Sequence, residues 1–149
     1  MDRAMPAEIR PATPEDLPAI THVRTSVHEN HLSVEEMVEL GITPEVVTQM
    51  ILASPCCWVA VEEGAIVGFS MIDAEEGSLF AAFVLPSHEG KGIGRRLVQV
   101  AEDQLFKTHS TIWLETGRTT RAAGFYRSLD WGNESAIGED DIRLEKRRP

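Results

Sequence analysis

At 149 residues, 42% hydrophobic and 26% charged, the chain has the size and balance of one soluble globular domain, and no apolar run reaches the length that spans a bilayer. Its formal net charge of -10 argues against a general nucleic-acid binder, whose ligand phosphates it would repel, and favours cationic partners such as amines; taken alone, the charge does no more than keep the protein soluble. The adjacent Cys56 and Cys57 offer no long-range staple and residues 1–6 lack the apolar stretch of a signal peptide, so the expected compartment is the reducing cytoplasm.

No repeat, low-complexity tract or long linker divides the chain, so residues 1–149 read as one domain. Ile9-Arg10-Pro11 is a short opening strand. Thr13-Pro14-Glu15-Asp16 supplies an N-cap, a proline at the first helical position and an acidic first turn. Leu17, Ile20, Val23 and Val27 follow at helical spacing, which predicts one buried face. A polar stretch, His28-Glu29-Asn30-His31, leads to a short helix over 34–40 that ends at Gly41. Thr43-Pro44 starts another helix, stopped by Ser54-Pro55. Residues 58–62 and 66–72 flank Glu63-Gly64 as a hairpin. The continuous apolar run 79–85 predicts a buried central strand, closed by Pro86. A glycine-rich turn and a helix with Leu97, Ala101 and Leu105 on one face come next. Residues 111–115 form another strand, and a helix over 121–129 turns Ala122, Phe125 and Leu129 inward. Residues 133–137 and 142–145 close the chain as a hairpin around the acidic loop Gly138-Glu139-Asp140-Asp141. This order predicts an α/β fold, a mixed sheet with helices on both faces.

The turn between the central strand and its helix has the chemistry of an anion site. Orphan backbone N–H groups in the first helical turn point outward, and the helix dipole adds about half a positive charge there. Gly90, Gly92 and Gly94 let backbone approach a phosphate without a side chain in the way, and Lys91, Arg95 and Arg96 add full charges against the acidic background. Two nucleotide motifs fit poorly. A P-loop needs Gly-Lys-Ser/Thr, but Gly92 follows Lys91; the dinucleotide fingerprint needs a third glycine where Leu97 stands.

The segment resembles the acetyl-CoA motif of the GNAT superfamily of N-acetyltransferases, Gln/Arg-x-x-Gly-x-Gly/Ala after an apolar strand ending Val-x-Pro. The chain reads Val84-Leu85-Pro86, then Glu89-Gly90-Lys91-Gly92-Ile93-Gly94. Downstream, Ala122, Phe125-Tyr126 and Asp130-Trp131 follow the family's later pattern, and the element order agrees over nearly the whole chain. Three positions depart from it: Glu89 for Gln or Arg, Thr119 for a frequent asparagine at the pantetheine arm, and Asp130 for a glycine after the tyrosine helix. A carboxylate at Glu89 suits a helix N-terminus. The resemblance implies a single-domain fold with a mostly antiparallel sheet of six to seven strands. It also implies acetyl-CoA as co-substrate and a primary amine, of a small molecule or a peptide, as acceptor, with no metal, no nucleic acid, no membrane, and a homodimer as one assembly.

The same resemblance implies how the parts act. The pyrophosphate lies on the amides of residues 91–95, Lys91 through Ile93 to Arg95, with Glu89, Arg96 and Thr119 in the same binding set. The pantetheine arm runs between two splayed strands, 79–85 and 111–115. A backbone N–H near Phe83 or Val84 polarises the thioester carbonyl. The amine attacks directly, and Tyr126 protonates the departing thiolate, as a phenol with an ordinary pKa of about 10 keeps its proton at neutral pH. A tyrosine in a helix is also an ordinary core residue, and Tyr126 is open to that reading.

The group that takes the amine's proton is left open among Glu29, Glu75, Glu76, Glu115, His28 and His31, each also readable as a solvated surface residue. His28 and His31 are three apart with no further ligand at suitable spacing, so no metal site is expected. Against the enzyme stands a non-catalytic acyl-CoA-binding or regulatory module on the same fold. The acceptor is expected to meet residues 28–40 and 138–141. Both segments are acidic and suit a cation such as a polyamine, an aminoglycoside or a peptide amine.

Overall fold

Strand β1 (Glu8–Pro11) opens the structure, a computed structural model that describes residues 7–27 and 33–149. One carboxylate builds the corner after it. Asp16 accepts the Thr13 backbone N–H at 2.8 Å and both Arg10 guanidinium NH groups at 2.8 and 3.0 Å. Thr13 therefore caps a single 3₁₀ turn, Pro14–Asp16, and helix α1 (Leu17–Ser26) begins one turn later than the proline alone suggests. The stretch His28-Glu29-Asn30-His31 lies outside the described residues. Helix α2 (Val34–Glu39) carries a capping box between Ser33 and Glu36, and α3 (Pro44–Ala53) is capped by Thr43.

Strands β2 (Cys57–Glu62) and β3 (Ala65–Asp73) form the expected hairpin. Its two turn residues, Glu63 and Gly64, both take positive φ (52° and 80°), the twist that a two-residue hairpin turn requires. Strand β4 (Ser78–Val84), helix α4 (Ile93–Leu105), strand β5 (Thr111–Gly117), helix α5 (Arg121–Ser128) and the hairpin β6 (Gly132–Ile137)–β7 (Asp141–Arg147) complete the chain.

The seven strands make one sheet in the order β1-β2-β3-β4-β5-β7-β6, antiparallel except for the parallel neighbours β4 and β5. Helices cover both faces. Phe69 and Met71 of β3 meet α1 and α3 across a small apolar cavity, whereas Ser70, between them, donates its hydroxyl to the Leu97 carbonyl of α4 at 2.9 Å. Helix α4 lies so close that a Cβ on Gly68 would come within 2.9 Å of the Phe83 carbonyl oxygen and 3.0 Å of a Leu97 methyl. A buried polar link ties the far side together. Glu102 of α4 accepts from Trp131 Nε1 (3.1 Å) and from Lys146 Nζ of β7 (2.8 Å).

Two expectations are corrected. Residues 79–85 are not buried throughout: Leu79 is, but Phe80 is 53% exposed and residues 81–85 are half-buried. The cause is the sheet. β4 meets β5 at one pair only, Ser78 with Trp113, and the two strands then part, so the rest of β4 lines an opening. Helix α5 is turned by about one residue. Ala123 and Tyr126 are its buried pair, while Ala122 and Phe125 stand half-buried toward that opening.

Candidate active site

Local backbone geometry makes the loop before α4 an anion cradle. Gly90 (φ +79°) and Gly92 (φ +81°) both take left-handed conformations that other residues adopt only with strain. Gly92 is the N-cap of α4 and has no side chain to cap with. The first closing bond of the helix runs from the Arg96 N–H to the Gly92 carbonyl, so the N–H groups of Ile93, Gly94 and Arg95 have no intrahelical acceptor. They border a cavity of about 570 Å³ lined by Ala82, Phe83 and Val84 of β4, by His88 to Gly90, by Gly92 to Arg95, and by Arg121, Ala122 and Phe125 of α5.

The positive cluster expected here is divided. Arg95 lines the cavity. Lys91 instead reaches Glu62 at the end of β2, 3.4 Å away, and Arg96 donates to the Ala7 carbonyl, anchoring the start of β1 to α4. Arg121, which carries no sequence signal, supplies a second guanidinium and pairs with Glu89 at 3.2 Å. Glu89 is thereby neutralised by a side chain rather than by the helix dipole. Glu62 also sits 3.3 Å from His88 Nε2, through an oxygen that is buried and makes no hydrogen bond. His88 Nδ1 is 2.8 Å from Ser87 Oγ.

The parting strands shape the other half of the site. The Leu85 N–H bonds the Val67 carbonyl of β3, and Phe83 faces Phe69 across the same ladder. Backbone groups alternate along a strand, so the N–H groups of Ala82 and Val84 point the other way, into the gap that β5 has left. A second cavity of about 480 Å³ lies along this gap. It adjoins the first at Ala82, Phe83 and Ala122, and is lined further by residues 114–117 of β5, Tyr126 and Asp141.

Tyr126 is 7% exposed and packs edge-on against Phe125 and Trp131 at 5.3 and 5.9 Å between ring centroids. Burial pushes its pKa well up, so the phenol holds its proton across the neutral range. Of the proton-acceptor candidates, Glu115 lines the second cavity, and its carboxylate accepts from Arg143 at 2.9 Å while Arg143 stacks on Trp113. Glu75 and Glu76 sit in the turn before β4, at the closed end of the gap, where the Glu76 carbonyl accepts from Trp113 Nε1. His28, Glu29 and His31 lie outside the described residues. Thr119 is exposed in the turn between β5 and α5 and borders neither cavity.

Arg24 of α1 was not foreseen. Its guanidinium lies 4.2 Å over the Phe83 ring and lines the second cavity. Burial lowers its pKa, with the charge of Glu36 opposing, yet a guanidinium stays protonated in any case. A signal existed, because Arg24 occupies a place in the apolar stripe Leu17, Ile20, Val27, where a cation is out of pattern. The cysteines are remote from this chemistry. Both are buried, and burial pushes the Cys57 thiol up to about 12. Among the described residues no group of three His, Cys, Asp or Glu could hold a metal ion, and no helix is long and apolar enough to cross a membrane.

Residues 53–131 match the family model of the acetyltransferase (GNAT) domain. Among curated proteins, none matches the chain. The fold is similar to that of PaiA N-acetyltransferase from Thermoplasma acidophilum in complex with coenzyme A (TM-score 0.78, 22% identity, 97% of this chain and 100% of that one). It is also similar to ribosomal-protein-alanine N-acetyltransferase from Brucella melitensis (TM-score 0.71, 22% identity, 95% and 99%). A third likeness is to yncA from Salmonella typhimurium with its cofactor acetyl-CoA (TM-score 0.68, 21% identity, 96% and 94%). At these identities the likeness is one of fold.

Proposed function

The chain belongs to the GNAT acetyltransferase family, and from that premise we propose that it transfers the acetyl group of acetyl-CoA directly to a primary amine. One observation carries the reading. A helix start with three N–H groups that have no intrahelical acceptor borders a cavity that adjoins the gap between β4 and β5.

In this assignment the N–H groups of Ile93, Gly94 and Arg95 hold the pyrophosphate, with Arg95 adding a full charge. Lys91 and Arg96 are committed elsewhere, and Thr119 lies off the path, so none of the three is given a direct contact. The pantetheine arm enters the gap from the larger cavity and pairs with β4 at Ala82 and Val84, leaving the end of the second cavity at Phe80 and Leu40 to the acceptor. The Val84 N–H, aimed into the gap, polarises the thioester carbonyl. When bound, acetyl-CoA supplies the activated acyl carbon. The amine's lone pair forms the new N–C bond at that carbon as the C–S bond breaks onto sulfur. Of the two protons an ammonium gives up, one leaves to solvent through Glu115; Tyr126 gives its own proton to sulfur and is reprotonated by the other. Glu115 is preferred because, of the candidates among the described residues, it alone lines the cavity that also holds Tyr126.

Calorimetric titration with CoA, followed by thiol release from acetyl-CoA in an amine panel, tests the proposal. Binding with amine-dependent release supports the enzyme. Binding without release under any amine identifies the non-catalytic module, and no binding at millimolar CoA removes both readings.

A further inference from the structure

Large apolar side chains are seldom left in water without cause, and here their placement is uneven. Among the described residues six are exposed, and four of them, Val34, Val38, Leu40 and Phe80, line cavities on one side of the molecule. Two cavities meet there. The 480 Å³ space beside Tyr126 shares Arg24, Ile42, Phe80 and Ala81 with a smaller one of about 110 Å³ between α1, α2, α3 and the sheet. Moving along this surface, the lining changes character. Near the gap between β4 and β5 it is lined by the acidic residues Glu115 and Asp141; toward α2 it is mostly aliphatic and aromatic. Between the two stands the Arg24 guanidinium, attracted by Glu36 and held over Phe83.

We infer that the acceptor is a small monoamine with an apolar body, an alkylamine or arylalkylamine, seated with its nitrogen toward Glu115 and its body against Phe80 and Leu40. This rests on the acetyl-transfer reading above. Acidic groups at the reacting end attract one ammonium. The apolar end removes hydrocarbon from water, and the described residues that line the smaller cavity include no carboxylate to meet a second charge. A polyamine or aminoglycoside would set its further ammonium groups against Arg24 and the apolar rim. The acidic segments of the sequence suit a cation such as a polyamine, an aminoglycoside or a peptide amine; the proposal departs from these three because of the apolar end. Part of the acidity of α2 is met within the chain, where the charge of Glu36 acts on Arg24.

The test measures kcat/KM for n-alkylamines from propyl to octyl, phenethylamine, putrescine, spermidine, kanamycin and a short peptide with N-terminal phenylalanine, at saturating acetyl-CoA. Along the alkyl series kcat/KM rises about two- to fourfold per methylene until the cavity is filled. Phenethylamine exceeds putrescine and spermidine by more than about tenfold. Phe80→Ser flattens the alkyl series and leaves CoA affinity unchanged; Leu40→Ser, at a position 65% exposed, repeats the test where folding is not at stake. A flat alkyl series, a preference for polyamines or kanamycin, or a peptide that outruns phenethylamine overturns the inference while leaving acetyl transfer intact. Absence of CoA binding, or of turnover with every amine, overturns the underlying reading instead.

Discussion

Tyr126 is a packing residue, its ring buried between Phe125 and Trp131, and in the proposed reaction it is also the acid, a role that needs a hydroxyl which keeps its proton, as burial favours. Tyr126→Phe preserves the ring and deletes the proton donor. CoA affinity and melting temperature are expected to change little, while kcat falls by roughly 10²- to 10⁴-fold. Stopped-flow thiol release with a good amine measures it, and an unchanged kcat would return Tyr126 to packing alone. Tyr126 is singled out by the motif it sits in, whereas Arg121 and Glu62 carry no signal of their own and Arg24 only its place in an apolar stripe. Their meaning comes from what the fold sets opposite them: Glu89, the His88–Lys91 loop and the Phe83 ring.

At the scale of elements, the start of α4 and the corner before α1 both depend on how a helix end is satisfied. Gly94 has ordinary φ, and a Cβ there meets Phe125 and Val84 only at 3.6 and 3.7 Å, normal contact. Gly94→Glu therefore leaves the loop backbone as it is but sets a carboxylate among the amides, and CoA affinity is expected to drop about tenfold or more. The same change at Gly92, with φ of +81°, strains the backbone as well, so calorimetry on the Gly94 variant is the cleaner measurement. At the other corner, the Arg10 guanidinium and the Thr13 N–H hold the Asp16 carboxyl below its ordinary 3.8, against the opposing effect of burial. A depressed folded-state pKa means that this stabilisation is complete above 3.8 and is lost as pH falls through the lower, folded value. Asp16→Asn should cost about 1 kcal/mol at pH 7, discounted for the exposure of Arg10, and the gap to the parent should narrow below pH 3.8. Urea titrations at pH 7 and 3 compare the two; a constant difference would assign the effect to packing.

Across the whole molecule, Glu102 is the point where α4, the segment after α5 and the edge hairpin are fastened, through Trp131 and Lys146. Glu102→Ala strands a half-buried ammonium and an indole N–H, and is expected to destabilise by about 3 kcal/mol; Glu102→Leu with Lys146→Met should recover much of that loss, both read by denaturant unfolding with Trp fluorescence. Sequence alone determined the local parts of this architecture. Hairpin 58–72, the glycine turn with its helix, the order of elements along the chain and the family were all readable, because turn chemistry, apolar period and helix-end preference act within a few residues of one another. Glu102 shows the limit of that reading, since an acid in the apolar face of α4 looks like a break in the pattern until Lys146, 44 residues away, is brought against it. The parting of β4 from β5 is expected only through the family resemblance: nothing in the run 79–85 itself separates a fully buried strand from one that lines a cavity. Whether a strand keeps its neighbour is decided by what packs on either side of both, so only the tertiary structure shows where the two strands part, after the single pair Ser78 and Trp113.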